Sequence, residues 1–135
     1  MKRGSIACLL VLLIAGFPQA SLAAKQAKVE ILYMNHGPLM DTLQKVRDLL
    51  AGYGDKIVVS WYDVESGQGE RFKEKKGITR HIPLIIWIDG SSSVKLGNKE
   101  ITFTGFPSGS GPAPFQGNWS MDNLREALSR TTGRR

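Results

Sequence analysis

The chain carries two histidines, His36 and His81, and a single cysteine, Cys8. Imidazole can titrate near neutral pH or ligate a metal, and close to His36 stand the thioethers of Met34 and Met40 and the carboxylate of Asp41. Two chemistries follow from these residue types. One is a copper or zinc site on His36 and His81, with Met34, Met40 or Asp41 as a further ligand; imidazole and thioether donors suit copper. The other is general acid–base catalysis, a hydrolase with His36 as general base beside Asp41. Against the first, no closely spaced pair of ligands is present. Against the second, no nucleophile or set of oxyanion donors accompanies the histidine. The plain alternative is that His36 hydrogen-bonds neighbouring backbone and that both histidines lie on the surface without a ligand. No cofactor is expected.

These residues need elements to position them. Val29 to Met34 is apolar and rich in β-formers, as a buried strand requires. Asn35-His36-Gly37-Pro38-Leu39-Met40 then hands that strand over to a helix. Pro38 suits a first helical turn, where its missing N–H costs nothing. Leu39, Leu43, Val46, Leu50 and Tyr53 follow at spacings of four, three, four and three, which make one apolar face. The helix is predicted to end near Ala51, in Gly52-Tyr53-Gly54-Asp55.

Lys56 to Val64, β-branched and aromatic, reads as a second strand, so the two strands and their helix form a βαβ unit with parallel pairing. Asp63, at its end, reads as a turn or cap residue. Glu70 to Lys76 is predicted as a short charged helix stopped by Gly77, with Lys73, Lys75 and Lys76 on a solvated face. Ile82 to Ile88 is the most apolar run after the first segment, a strand buried on both faces, and Asp89-Gly90 turns it back. Val94, Leu96, Ile101 and Phe103 alternate around Gly97-Asn98 as one or two antiparallel strands. Gly105 to Gly117 is a Gly/Pro/Ser loop, reaching residue 118, before a helix that Ser120 can cap and that buries Leu124, Ala127 and Leu128. The predicted class is α/β in the order β-α-β-α-β-β-α, without internal repeat or second domain.

With 135 residues, 41% hydrophobic and 8% aromatic, the chain can build one modest core. Its first segment stands apart. Lys2 and Arg3, the apolar stretch Ile6 to Phe17 and the small-x-small site Ser21-Leu22-Ala23 form the pattern of a cleavable secretory signal over residues 1–23. Cleavage is expected after Ala23, with Ala24 the next candidate, leaving a domain over 24–135 in the periplasm or outside the cell. The apolar stretch is shorter than the roughly 20 residues that span a bilayer, so no membrane insertion is expected after cleavage. A lipid anchor on Cys8 would leave almost no apolar segment ahead of it. Without residues 1–23, 16 Lys+Arg remain against 12 Asp+Glu, a net +4 that does not point to nucleic acid. The arginines of the tail, Arg130 to Arg135, read as a frayed, solvated terminus. No thiol remains in the cleaved chain, so packing alone must hold it together.

The order and three local motifs resemble the thioredoxin-like fold over roughly residues 28–131. His36-Gly37-Pro38-Leu39 looks like that family's Cys-Gly-Pro-Cys segment with Gly37 and Pro38 kept and both cysteines replaced. Gly77 to Pro83 is similar to the segment that ends in the family's cis-proline, though one residue longer. Gly105 matches a glycine that lies on the same surface. The resemblance implies a central mixed sheet flanked by helices and a cis Ile82-Pro83 bond, which proline makes inexpensive. It also implies one surface, formed by Asn35, His36, Gly37, Pro38, His81, Ile82, Pro83, Gly105 and Phe106, that holds an extended peptide. It cannot imply the family's redox chemistry here. Thiol–disulfide exchange proceeds by thiolate attack, and His36 and Leu39 stand where the two sulfurs would be.

The expected function is therefore a non-catalytic protein- or peptide-binding module, its partner a protein or peptide. Phe106, Phe115 and Trp119, in or beside the Gly/Pro/Ser loop, could anchor such an interface or pin the loop to the core. Asn118-Trp119-Ser120 fits a glycosylation sequon and has no other support.

Overall fold

The structure, a computed structural model, describes residues 25–133; the signal expected over 1–23, Cys8 within it, and the last two arginines of the tail lie outside the described residues. The elements are β1 (Ala27–Tyr33), α1 (Leu39–Ala51), β2 (Ile57–Asp63), α2 (Gly67–Lys75), β3 (Leu84–Ile88), β4 (Ser93–Leu96), β5 (Lys99–Thr102) and α3 (Met121–Thr132). The fold is mixed α/β. A three-stranded sheet runs in the order β2-β1-β3, with β2 parallel and β3 antiparallel to β1. β4 and β5 pair as a hairpin. Beyond β5 the chain runs on beside β3: the Ile86 N–H donates to the Phe103 carbonyl at 2.9 Å and the Gly105 N–H to that of Leu84 at 2.7 Å.

Side chains alternate across a strand, and both faces of β1 and β3 are covered. Ala27, Val29, Ile31, Leu84 and Ile86 pack with the predicted face of α1 and with Leu124 and Leu128 of α3. On the opposite face Leu32, Ile85 and Trp87 pack with Phe72 of α2, joined by Ile78 and Ile82. Tyr53 closes the first layer: its hydroxyl donates to the Arg125 carbonyl and lies 2.9 Å from Ser129 Oγ.

The second layer also buries a charge. Glu30, 4% exposed on β1, takes ion pairs from Lys28 at 2.7 Å and Lys76 at 2.9 Å. Lys76 is thus not part of a solvated face; its ammonium lies 5.2 Å from the centre of the Phe72 ring and 4.9 Å from that of Trp87. Burial pushes the Glu30 carboxyl upward, but the two ammonium groups outweigh it and hold its pKa below the ordinary 4.5. With the folded value below the unfolded one, the stability this confers is complete above the unfolded value and is lost as pH falls through the folded one. Glu30→Gln is expected to cost about 1–3 kcal/mol at neutral pH. It should also flatten the acid limb of a stability–pH curve below about 4.5. Urea midpoints measured across that limb check both.

Several expectations are corrected. α2 begins at Gly67, three residues before the predicted start, because Ser66 caps it by accepting the Gly69 N–H. Gly69 is set by a close approach: a Cβ there would lie 1.7 Å from the Asp63 carbonyl oxygen. β3 begins at Leu84 and not at Ile82. No cis peptide bond occurs among the described residues, so Ile82-Pro83 is trans and not cis. In that form the Pro83 carbonyl accepts the Met34 N–H at 3.0 Å, continuing the β1–β3 ladder past its last pair. Arg130 belongs to α3 and is not frayed: it pairs with Glu126 and donates to the Lys95 carbonyl at 3.2 Å. Asp63 caps a turn as expected, its Oδ1 accepting the Glu65 N–H. Ser120 caps α3 in a reciprocal pair with Asn123.

Candidate functional site

Three segments meet at one end of the sheet. The first is Met34 to Leu39, where β1 becomes α1. Pro38, in helical conformation, precedes the helix, and Leu39 is buried beneath it, so His36 is left exposed at the turn. The second is Thr79 to Pro83, the strap from α2 to β3. Ile82 tucks against the α2 layer and Pro83 is buried, which leaves Arg80 and His81 outside. The third is the Gly/Pro/Ser loop, whose glycines permit tight packing. Its Phe106 N–H donates to the Phe115 carbonyl at 2.8 Å and its Gly117 N–H to that of Phe106 at 2.7 Å. Gln116 braces it, its side chain accepting the Gly109 N–H and donating to the Gly111 carbonyl.

Between these segments lies an apolar hollow of about 130 Å³. Met34, His36, Pro38 and Leu39 form one side of it, His81 and Pro83 a second, and Phe106, Pro112 and Phe115 the third. His81 and Phe115 meet edge to face, ring centres 5.9 Å apart. A more polar groove of about 210 Å³ continues from it past Arg80, Ile82, Thr104, Gly105, Pro114 and Gln116. The two adjoin at His81, Pro83 and Phe115, which line both, and are referred to together as the trough.

Along the trough wall the main chain is open. Among the described residues no N–H or carbonyl of Arg80, His81 or Ile82 is hydrogen-bonded. Among the described residues neither imidazole has a hydrogen-bond partner, and the Arg80 guanidinium has neither a hydrogen bond nor an ion pair.

Of the residues expected to share a surface, His36, Pro38, His81, Ile82, Pro83, Gly105 and Phe106 line the trough, while Asn35 and Gly37 do not. Met34 joins the two imidazoles at the hollow; Met40 and Asp41 are exposed and outside it. Among the described residues no group of three or more His, Cys, Asp or Glu could hold a metal. His36 has no hydrogen bond to Asp41 that would orient it as a base, so the hydrolase expectation gains nothing. The aromatics divide. Trp119 is fully buried, edge-on to Phe103, and pins the loop to the core; Phe115 is 40% exposed at the trough. The Asn118 amide is engaged in the fold, donating to the Glu100 carbonyl and accepting the Thr102 N–H. Sequence reasoning passed over Arg80, whose only signal was its place beside His81.

Comparison with known proteins finds no matching family model, no matching curated protein and no matching solved structure.

Proposed function

We propose that the chain is an exported, thioredoxin-like domain without redox cysteines, which grips an extended segment of a partner protein and performs no catalysis itself. The observation that carries this reading is the apolar hollow of about 130 Å³ beside unpaired main chain at Arg80 to Ile82. Sites for whole small molecules run to about 300–1,000 Å³, so this hollow suits a single side chain. An extended segment can lend that side chain while its backbone pairs with the open strap, the way a strand is added to a sheet edge. Parallel β1 and β2 joined through α1, antiparallel β3, and Gly37-Pro38 before α1 support the family part of the reading. Residues 25–133 hold no cysteine, which supports the non-redox part. Export rests on the pattern of residues 1–23.

Selection of displayed random peptides on the purified protein tests this directly. Recovered sequences should share one aromatic or large aliphatic position, and Phe115→Ala should weaken them by about 1–3 kcal/mol. That residue is half in solvent, so the fold should survive its loss. Peptides that bind the variant equally well would contradict the reading.

A second reading keeps the same hollow for a copper ion, because the Met34 thioether and the His36 and His81 imidazoles line it together. Competition with a copper-binding dye decides it: uptake that disappears in the His36→Ala, His81→Ala double variant supports copper, and negligible uptake by the parent removes it.

A further inference from the structure

Granting the peptide-gripping reading, we infer that the trough selects an acidic segment: an apolar residue for the hollow, flanked by a carboxylate that meets Arg80. Among the described residues the titratable ones along the trough are His36, His81 and Arg80, and no Asp or Glu lines either part of it. Among the described residues that line the trough, Arg80 is the one Lys or Arg, and it is exposed and has no acidic partner. A guanidinium beside an apolar slot matches a carboxylate by charge and by its two-pronged geometry. The start of the 13-residue α1 faces the same hollow through His36 and Pro38 and adds partial positive charge. Asp41, the acid of that first turn, is exposed and lines neither part of the trough. Hollow and groove share His81, Pro83 and Phe115, so neighbouring residues of one strand-like segment can fill the hollow and reach Arg80 together.

Four fluorescent peptides of equal length test this by anisotropy: a Phe flanked by Glu, the same Phe flanked by Gln, the same Phe flanked by Lys, and Ala flanked by Glu. The Glu-flanked Phe peptide is expected to bind tightest, roughly fivefold above the Gln version. That gap should close at high salt and in Arg80→Gln. Equal binding of the three Phe peptides, with the Ala peptide weak, would overturn the acidic preference and leave the gripping reading intact. Binding of the Ala peptide as tight as that of the Phe peptides, or of no peptide at all, would overturn both.

Discussion

Trp119→Ala is expected to lower the unfolding free energy by about 3–5 kcal/mol, the largest loss among the substitutions considered. The side chain is 0% exposed, packs edge-on to Phe103 at 5.9 Å, and donates its Nε1–H to the Gly105 carbonyl at 3.2 Å. Its own carbonyl accepts the Ser108 N–H at 2.8 Å, so the residue ties both ends of the Gly/Pro/Ser loop to the core. Truncation therefore removes a large buried ring and leaves a cavity where loop and core are fastened. Trp119→Phe keeps an aromatic ring against Phe103 but loses the donor and part of the buried volume, so it should cost less than the Ala variant, about 1–3 kcal/mol. Urea unfolding reads both. An Ala variant within about 1 kcal/mol of the parent would mean that the indole is not a core residue.

Gly105→Ala is expected to damage stability and binding together. Gly105 has φ of +69°, a region costly for residues with a Cβ, and that Cβ would lie 2.2 Å from the Phe115 carbonyl oxygen. The same oxygen accepts the Phe106 N–H, so relieving the clash pulls Phe115 away from the trough wall. Strain and overpacking together should cost about 2–5 kcal/mol. Peptides selected on the parent should lose most of their affinity even where the variant remains folded by circular dichroism. Unchanged affinity in a folded variant would show that Phe115 does not shape the binding surface.

How much was legible in the sequence depended on whether a signal was local. The face Leu39, Leu43, Val46, Leu50 and Tyr53 is buried as its spacing predicted, because helical period and burial are written in the same few residues. The start of α2 was misread for the opposite reason. Ser66-Gly67-Gln68-Gly69 has loop composition, and what makes glycine necessary at 69 is the Asp63 carbonyl packed against it. Lys76 looked like one cation of a solvated run, since its partner Glu30 lies 46 positions away. The Ile82-Pro83 bond carried no local signal of its isomer; the trans form fits the Met34 to Pro83 hydrogen bond. At the site, His36, His81 and Phe106 were brought to one surface only through the resemblance, and the structure lines one hollow with them. Arg80 was missed because an unpaired arginine is defined by what surrounds it in space.

Whether the trough grips a main chain is tested most directly by amide chemical shifts and hydrogen exchange during titration with a selected peptide. The largest shifts should fall on Arg80, His81, Ile82 and Gly105, with exchange slowed at the His81 and Ile82 amides as they acquire hydrogen-bond acceptors. Shifts centred on β2 or on the β4–β5 hairpin, with the strap amides exchanging as before, would contradict it.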